Sequence, residues 1–518
     1  MVRPQANGLE WGYRDGEVPV AALAGADAVG ELVAVALDAV AEGVRLRGGP
    51  VPAGGPAAVD TVVGGLAALP VDGVGAVAAI AELSALLAAG SADPVDPWCA
   101  AHLHCPPLAV AAAADLVASV LNPSMDSWDQ APVASALERA LTDRLAALCY
   151  PDAADPDAVI TSGGTESNLT ALLLAREAAG PDLVPVCGAN AHHSVARAAW
   201  LLGLPRPVAV PTAADRVDPA ALRRALADRG PAVVIATAGT TNSGAFDPLD
   251  EIADIAHAAG AWLHVDAAYG GALLFSDRHR HRVAGLARAD SVALDLHKLG
   301  WQPIAAGVLA CRDAGALASL HTRADYLNAA DDTEAGLPDL LGRSLRTSRR
   351  PDAFKIAVTV RALGTAGLGA LVDRCCELAA EVAGAVHEHP RLRLWAPPTL
   401  STVLLRPVAA DELADDRPVE QPGGLSGEQP DERPDERPGA AADELVASVR
   451  RGLLDRGVAV LGRANLPGSG LWLKLTLLHP HATLADYLPL LDLIATTADQ
   501  ALDQVLDRAP AVGVDPCR

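Results

Sequence analysis

The chain has eight cysteines, at 99, 105, 149, 187, 311, 375, 376 and 517, and no CxxC pair among them. That spacing excludes a disulfide framework and reads as reduced thiols, with Cys375 and Cys376 as core residues in an apolar helical pattern. Positive charge is also scarce: 40 Lys and Arg face 64 Asp and Glu, for a net charge of −24. Such a balance argues against nucleic acid and anionic membranes as partners. The first residues, Met1 to Gln5, lead into Glu10, Arg14, Asp15 and Glu17 with no apolar signal core. The longest uncharged run, 97–114, is interrupted by His102, His104, Pro106 and Pro107, and the apolar run 83–90 is short, so neither suits a membrane span. A soluble, unexported, cytoplasmic protein is expected. No metal site is expected either, since the adjacent His192 and His193 diverge on a helix and cannot share an ion.

Apolar residues, by contrast, make up 51% of 518 positions, enough for a large core and several lobes. Residues 1–95 carry helical pieces at 26–43 and 73–90 and read as an N-terminal helical segment. Residues 96–365 alternate apolar strands with helices, the pattern of a parallel sheet with crossover helices. Strands are predicted at 232–236 and 261–265; between them Asp247 can cap, and Pro248 start, a helix to about Ala259. Residues 366–518 form a smaller domain with strands at 402–405 and 471–475. Inside it, 409–441 holds a short tandem repeat, PDERPDERPG at 430–439, and is expected to be a disordered insertion.

Chemistry concentrates in three places. Asp266 follows a strand, where ligands bind in open α/β sheets. Lys298, 32 residues further on and just after His297, is a primary amine that can hold an aldehyde as a Schiff base. An aspartate that keeps a pyridine nitrogen protonated would complete what pyridoxal phosphate needs to act as an electron sink. The third place is the turn Ser162-Gly163-Gly164-Thr165, between an apolar strand and a helical run. It offers backbone N–H groups at a helix start, where the dipole favours a phosphate on Gly164 and Thr165.

The motifs run in order: HLHCPP at His102 to Pro107, NPSMDSWDQAP at Asn122 to Pro132, TSGGTESN at Thr161 to Asn168 and AHHSVARA at Ala191 to Ala198. ATAGTTNSGAFDPL follows at Ala236 to Leu249, then HVDAAYGG at His264 to Gly271, DLHK at Asp295 to Lys298 and SLRTSRRPDAFK at Ser344 to Lys355. Together they resemble the group II pyridoxal-phosphate-dependent amino-acid decarboxylases, and most closely the diaminobutyrate and siderophore-type lysine decarboxylase subgroup. The resemblance implies an α/β protein of pyridoxal-phosphate transferase fold type I: a large domain with a mostly parallel sheet, a smaller α+β C-terminal domain and the N-terminal segment. It implies a homodimer in which that segment packs over the partner subunit. It also assigns roles. Lys298 anchors the cofactor, Asp266 pairs with its ring nitrogen, Ala268 leaves room for the ring and His192 stacks on it. Gly164, Thr165, Thr241 and Asp295 lie near its phosphate or hydroxyl, Asp295 standing where many relatives have Asn. His297 contacts cofactor or substrate, and His104, Cys105, Trp128 and Tyr326 form the substrate pocket.

The implied reaction is loss of carbon dioxide from an L-amino acid to give an amine. Where relatives carry a loop tyrosine, the stretch 331–340 has none, so His192, His297 or water is left as proton donor. A His104–Cys105 wall suits a polar side chain, and the expected substrate is a diamino acid, 2,4-diaminobutyrate or lysine, feeding polyamine or siderophore assembly. An aromatic or acidic amino-acid decarboxylase, a decarboxylating aldehyde synthase and an aminotransferase stay open as alternatives.

Overall fold

The computed structural model describes residues 21–227, 229–322, 324, 326–327, 329–415 and 439–508. The chain divides into two compact units, Met1–Cys99 with Arg451–Val460, and Ala100–Arg450 with Leu461–Arg518.

The first unit is built on two helices, Ala26–Arg47 and Ala76–Gly90, which bury Val35, Ala39, Ala81 and Ala85 between them. Small residues let the backbones approach: a Cβ on Gly43 would stand 2.3 Å from the Ala85 carbonyl oxygen. Arg47 closes the unit, its guanidinium pairing with Asp93 at 2.6 Å and donating to the Gly49, Ala88 and Ser91 carbonyls.

The second unit holds a seven-stranded sheet. In chain order its strands are β1 (Asp157–Thr161), β2 (Val184–Gly188), β3 (Val208–Val210), β6 (Ala232–Thr237), β7 (Trp262–Asp266), β8 (Ser291–Asp295) and β9 (Gly307–Cys311). A two-residue hairpin, β4 (Thr212–Ala213) and β5 (Arg216–Val217), sits apart from them. The order across the sheet is β1-β9-β8-β7-β6-β2-β3. β9 runs antiparallel to both its neighbours, and the remaining pairs are parallel. All residues of β6, β8 and β9 are buried, as strands covered by helices on both faces require. This is the mostly parallel α/β architecture expected.

The expected strands at 232–236 and 261–265 are β6 and β7. The helix between them is Leu249–Ala258, and its cap differs from expectation. The Asp247 carboxylate does not cap it but accepts from Val217 N at 2.8 Å and Thr237 N at 2.7 Å, tying β5 to β6.

A second, antiparallel sheet comprises β10 (Leu392–Leu394), β11 (Thr402–Pro407), β12 (Gly462–Leu466) and β13 (Gly470–Thr476) in the order β10-β11-β13-β12. The helix Asp352–Glu388 leads to it, with a break at Gly364 (φ 69°) beside the expected boundary at 365. By length and composition this helix could cross a membrane; 28% of its apolar window is buried, and its second half packs Val372, Cys375, Cys376, Leu378 and Val382 inside the unit. The seven described cysteines are free thiols. Of the expected insertion 409–441, residues 416–438 lie outside the described residues; on either side the chain is helical, Val408–Asp415 and Ala440–Asp455.

Candidate active site

Because β1, β6, β7 and β8 point the same way, their carboxyl ends open at one edge of the sheet, and a cavity of about 440 Å³ lies there. β1 delivers the turn Ser162–Thr165 and the helix Gly164–Ala179, whose first turn no side chain caps, so its N–H groups and dipole face the cavity. The acid in that first turn, Glu166, is neutralised locally. It accepts from Ser162 N at 2.6 Å and pairs with Arg346 at 3.2 Å. The turn needs glycine at 163, since a Cβ there would stand 2.9 Å from His297 Cε1. Gly307, at the start of β9, is as constrained: its Cβ would lie 2.5 Å from the Gly163 backbone.

β7 ends on Asp266, which is buried and lines the cavity. Its Oδ1 accepts from Ala268 N at 3.1 Å and its Oδ2 from Asn168 Nδ2 at 2.8 Å. β8 ends on Asp295, followed by His297 and Lys298. The Lys298 ammonium lies 3.0 Å from Asp295 Oδ2, and His297 Nε2 lies 3.5 Å from the same oxygen. Two polar atoms in this wall, Asp295 Oδ1 and His297 Nδ1, are buried without a hydrogen-bond partner among the described residues. Burial lowers the His297 pKa, against the opposing pull of Asp295.

Thr241 enters from a turn held at two points. The Asp215 carboxylate accepts from Thr240 Oγ1 and from Ser243 Oγ at 2.6 Å, and Lys474 Nζ donates to the Thr241 carbonyl at 3.1 Å. His192 lines the cavity from the segment before the helix Ser194–Leu201. Its pKa is lowered chiefly by burial, with Asp266 pulling the other way.

Nine residues singled out from the sequence are therefore brought together: Gly164, Thr165, His192, Thr241, Asp266, Ala268, Asp295, His297 and Lys298. The expected substrate wall is not. Leu103 and Ile304 line the cavity where His104 and Cys105 were expected. The His104 side chain is exposed, and Cys105 is buried with its thiol donating to the His297 carbonyl at 3.1 Å. Trp128 and Tyr326 line a different cavity with Asp129, Asp332 and Asp339, and Tyr326 is 85% exposed rather than part of a fixed wall. Sequence reasoning also passed over Asn168, Ser194 and His264, all buried behind the cavity. One signal was available: of the 40 Lys and Arg only three are lysine, at 298, 355 and 474, and the structure places a specific acceptor at each.

The residues fit pyridoxal phosphate. They supply a primary amine in the cavity, a buried carboxylate across from it, an uncapped helix start, an alanine beside the carboxylate, and two unpartnered buried polar atoms in the wall. Two carboxylates line the cavity; Asp266 suits the ring nitrogen, and Asp295, whose sign opposes a phosphate, is offset by Lys298.

Residues 80–407 match the pyridoxal-dependent decarboxylase conserved domain. The chain is 41% identical over 443 residues to an L-2,4-diaminobutyrate decarboxylase of Rhizobium meliloti, covering 83% of each. It is 34% identical over 441 residues to the enzyme of that name from Acinetobacter baumannii, covering 79% of this chain and 81% of the other. A solved structure from Vibrio parahaemolyticus superposes with a TM-score of 0.75 at 29% identity, covering 94% of this chain and 97% of that one. It is the glutamate decarboxylase domain of diaminobutyrate-pyruvate transaminase and L-2,4-diaminobutyrate decarboxylase.

Proposed function

The chain belongs to the pyridoxal-dependent decarboxylase family, and from that premise we propose that it releases carbon dioxide from an L-diamino acid, 2,4-diaminobutyrate first and lysine second, to leave a diamine. It is a carboxy-lyase, and its cofactor is pyridoxal 5′-phosphate. The observation that carries the substrate is the 41% identity to a diaminobutyrate decarboxylase across 83% of both chains. The cavity agrees with it in one respect: among the described residues two carboxylates and no arginine line it. A second carboxylate on the substrate would meet charge of its own sign there, and a second ammonium would not.

When bound, the cofactor supplies a sink for the electrons of the bond to the departing carboxylate. Asp266, its two oxygens fixed by Asn168 and Ala268 N, would hold a proton on the pyridine nitrogen. Lys298 would anchor the aldehyde and give up its place to the substrate amine. Gly164, Thr165 and Thr241 would hold the phosphate, with Asp295 beside them, and His192 would cover the ring face opposite Ala268. The proton for the α-carbon would come from His192, His297 or water; because burial lowers the pKa of both imidazoles, either would have to take up a proton before passing it on. We also infer a homodimer acting in the cytoplasm and supplying diamine for polyamine or siderophore assembly; the family resemblance of the motifs supports this.

The test is carbon dioxide release by purified protein with pyridoxal phosphate, on diaminobutyrate, lysine, ornithine, glutamate, aspartate, tyrosine and tryptophan, with peroxide followed in parallel. Release from a diamino acid without peroxide is expected. Release only from an acidic or aromatic substrate would overturn the substrate, and stoichiometric peroxide would move the reading to an aldehyde synthase.

A further inference from the structure

Behind the cavity, buried polar side chains form one continuous path. Trp262 Nε1 donates to Ser291 Oγ at 3.2 Å, and Ser291 Oγ lies 2.9 Å from His264 Nδ1. His264 Nε2 lies 2.9 Å from Asn168 Oδ1. Asn168 Nδ2 then donates twice, to Asp266 Oδ2 at 2.8 Å and to Ser194 Oγ at 2.9 Å. Ser194 Oγ lies 2.8 Å from His192 Nδ1. Asn168, His264 and Ser291 are completely buried, so bulk water does not replace the bonds among them.

Donor and acceptor counting leaves one assignment. A flipped Asn168 amide would set its oxygen against the Asp266 carboxylate, so the nitrogen must face Asp266. The oxygen then faces His264 and needs a donor, which places the His264 proton on Nε2. His264 Nδ1 must therefore accept, and the Ser291 hydroxyl supplies that proton while receiving the indole N–H. On the other branch Ser194 Oγ receives the Asn168 N–H and could either give its proton to His192 Nδ1 or accept a second one from it. The Ser194 backbone N–H selects donation, since it leans on the same Nδ1 at 3.4 Å and needs an acceptor there. His192 thus carries its proton on Nε2, which makes no bond among the described residues.

We infer that Asn168 is a positioning residue for both faces of the cofactor site: through one amide nitrogen it orients the Asp266 carboxylate and, by way of Ser194, fixes the tautomer of His192, while His264 holds the amide in the orientation that does both. The two ring-directed groups are then set as a pair, by one side chain, before any ligand arrives. The inference rests on the reading that Asp266 and His192 face the cofactor.

Four substitutions in the full-length protein test it. Ser194→Ala cuts the His192 branch alone, and Asn168→Leu removes the branch point. His264→Leu removes the donor that fixes the amide, and His264→Gln restores an N–H at that place. With 15N-labelled histidine, the His192 signals (identified by their absence in His192→Gln) should show a protonated Nε2 and a bare Nδ1 at neutral pH, with and without pyridoxal phosphate. In Ser194→Ala the two tautomers should mix. The dissociation constant for pyridoxal phosphate should rise roughly tenfold or more in Asn168→Leu and His264→Leu, the scale of a lost hydrogen bond to a buried charge. It should return to within about threefold of wild type in His264→Gln. A His192 spectrum unmoved by Ser194→Ala, or equal constants for folded His264→Leu and His264→Gln, would overturn the inference. Should Asn168→Leu fail to fold, Ser194→Ala and the His264 pair still decide. A wild-type protein that binds no pyridoxal phosphate would sink the cofactor reading, while the histidine spectra would still judge the relay.

Discussion

Lys298 and Asp295 form an ion pair at 3.0 Å in which the carboxylate's other oxygen has no hydrogen-bond partner among the described residues. Among the described residues this pair is the contact that holds the lysine amine in the cavity. Lys298→Arg keeps the charge but not a primary amine, and Lys298→Ala keeps neither. Both should abolish carbon dioxide release and borohydride-stable retention of the cofactor. Thermal unfolding separates them, because only the alanine variant strands Asp295. Turnover in the arginine variant above about a thousandth of wild type would show that the amine is not the essential feature.

The turn proposed to hold the phosphate has no spare volume. Gly307→Ala would press its Cβ on the Gly163 backbone and on Thr161 Oγ1, so strand and turn must part. The expected cost is about 1–3 kcal/mol of stability with at least a tenfold weaker hold on the cofactor. Differential scanning calorimetry and a cofactor titration read the two effects, and a variant with wild-type affinity would place the phosphate away from this turn.

Arg349 and Glu138 make a bidentate pair at 2.7 and 2.5 Å with both side chains almost wholly buried. Removing one partner leaves a bare charge in the core. Arg349→Met should cost about 3–5 kcal/mol in urea unfolding, and adding Glu138→Leu should recover most of it. If the double variant is no more stable than the single, the pair is not what the loss reports.

His264 gives a pH signature. Burial pushes its pKa from 6.5 down to about 4, against the pull of Asp266. Below about 6.5 the unfolded chain takes up a proton that the folded state refuses, so the imidazole's contribution is complete above that pH. It is lost on the way down to 4, by on the order of 1.4 kcal/mol per pH unit. Asp247 slopes the other way. Burial lifts it from 3.8 to about 6, and its contribution falls as pH rises between those values. Only the difference between variant and wild type isolates the histidine: the Tm of His264→Gln relative to wild type should climb as pH is lowered from 7 to 4.5. A difference flat across that range would mean the imidazole is not held neutral.

Much of this arrangement could be read from the chain because the central strands are short apolar runs ending in a polar residue. Runs of that kind at 232–236 and 261–265 mark β6 and β7 to within a residue, and so place Asp266 at a strand's carboxyl end. The wall at 102–107 was misread for want of period. In an irregular segment no alternation says which side chain turns inward, and it is Leu103 rather than His104 or Cys105. Asp247 misled for another reason: an aspartate before a proline looks like a cap, yet two strand N–H groups hold it more firmly. The relay was invisible because Asn168 and Ser194 lie near the starts of two helices and His264 and Ser291 in two strands, far apart in the chain. Only the packing of those helices on the sheet makes them neighbours.

That order has a bearing on how the protein comes into being. β9 lies between β1, which carries the glycine turn, and β8, which leads to the lysine. A nascent chain that has emerged as far as Lys298 already contains every described residue of the cavity except Ile304, yet β1 and β8 have no shared strand to bond to until Gly307–Cys311 inserts between them. Joining distant segments in this way is the slow kind of folding step. A cofactor that bound the finished sheet and not the open one would pull newly made chains toward it by mass action.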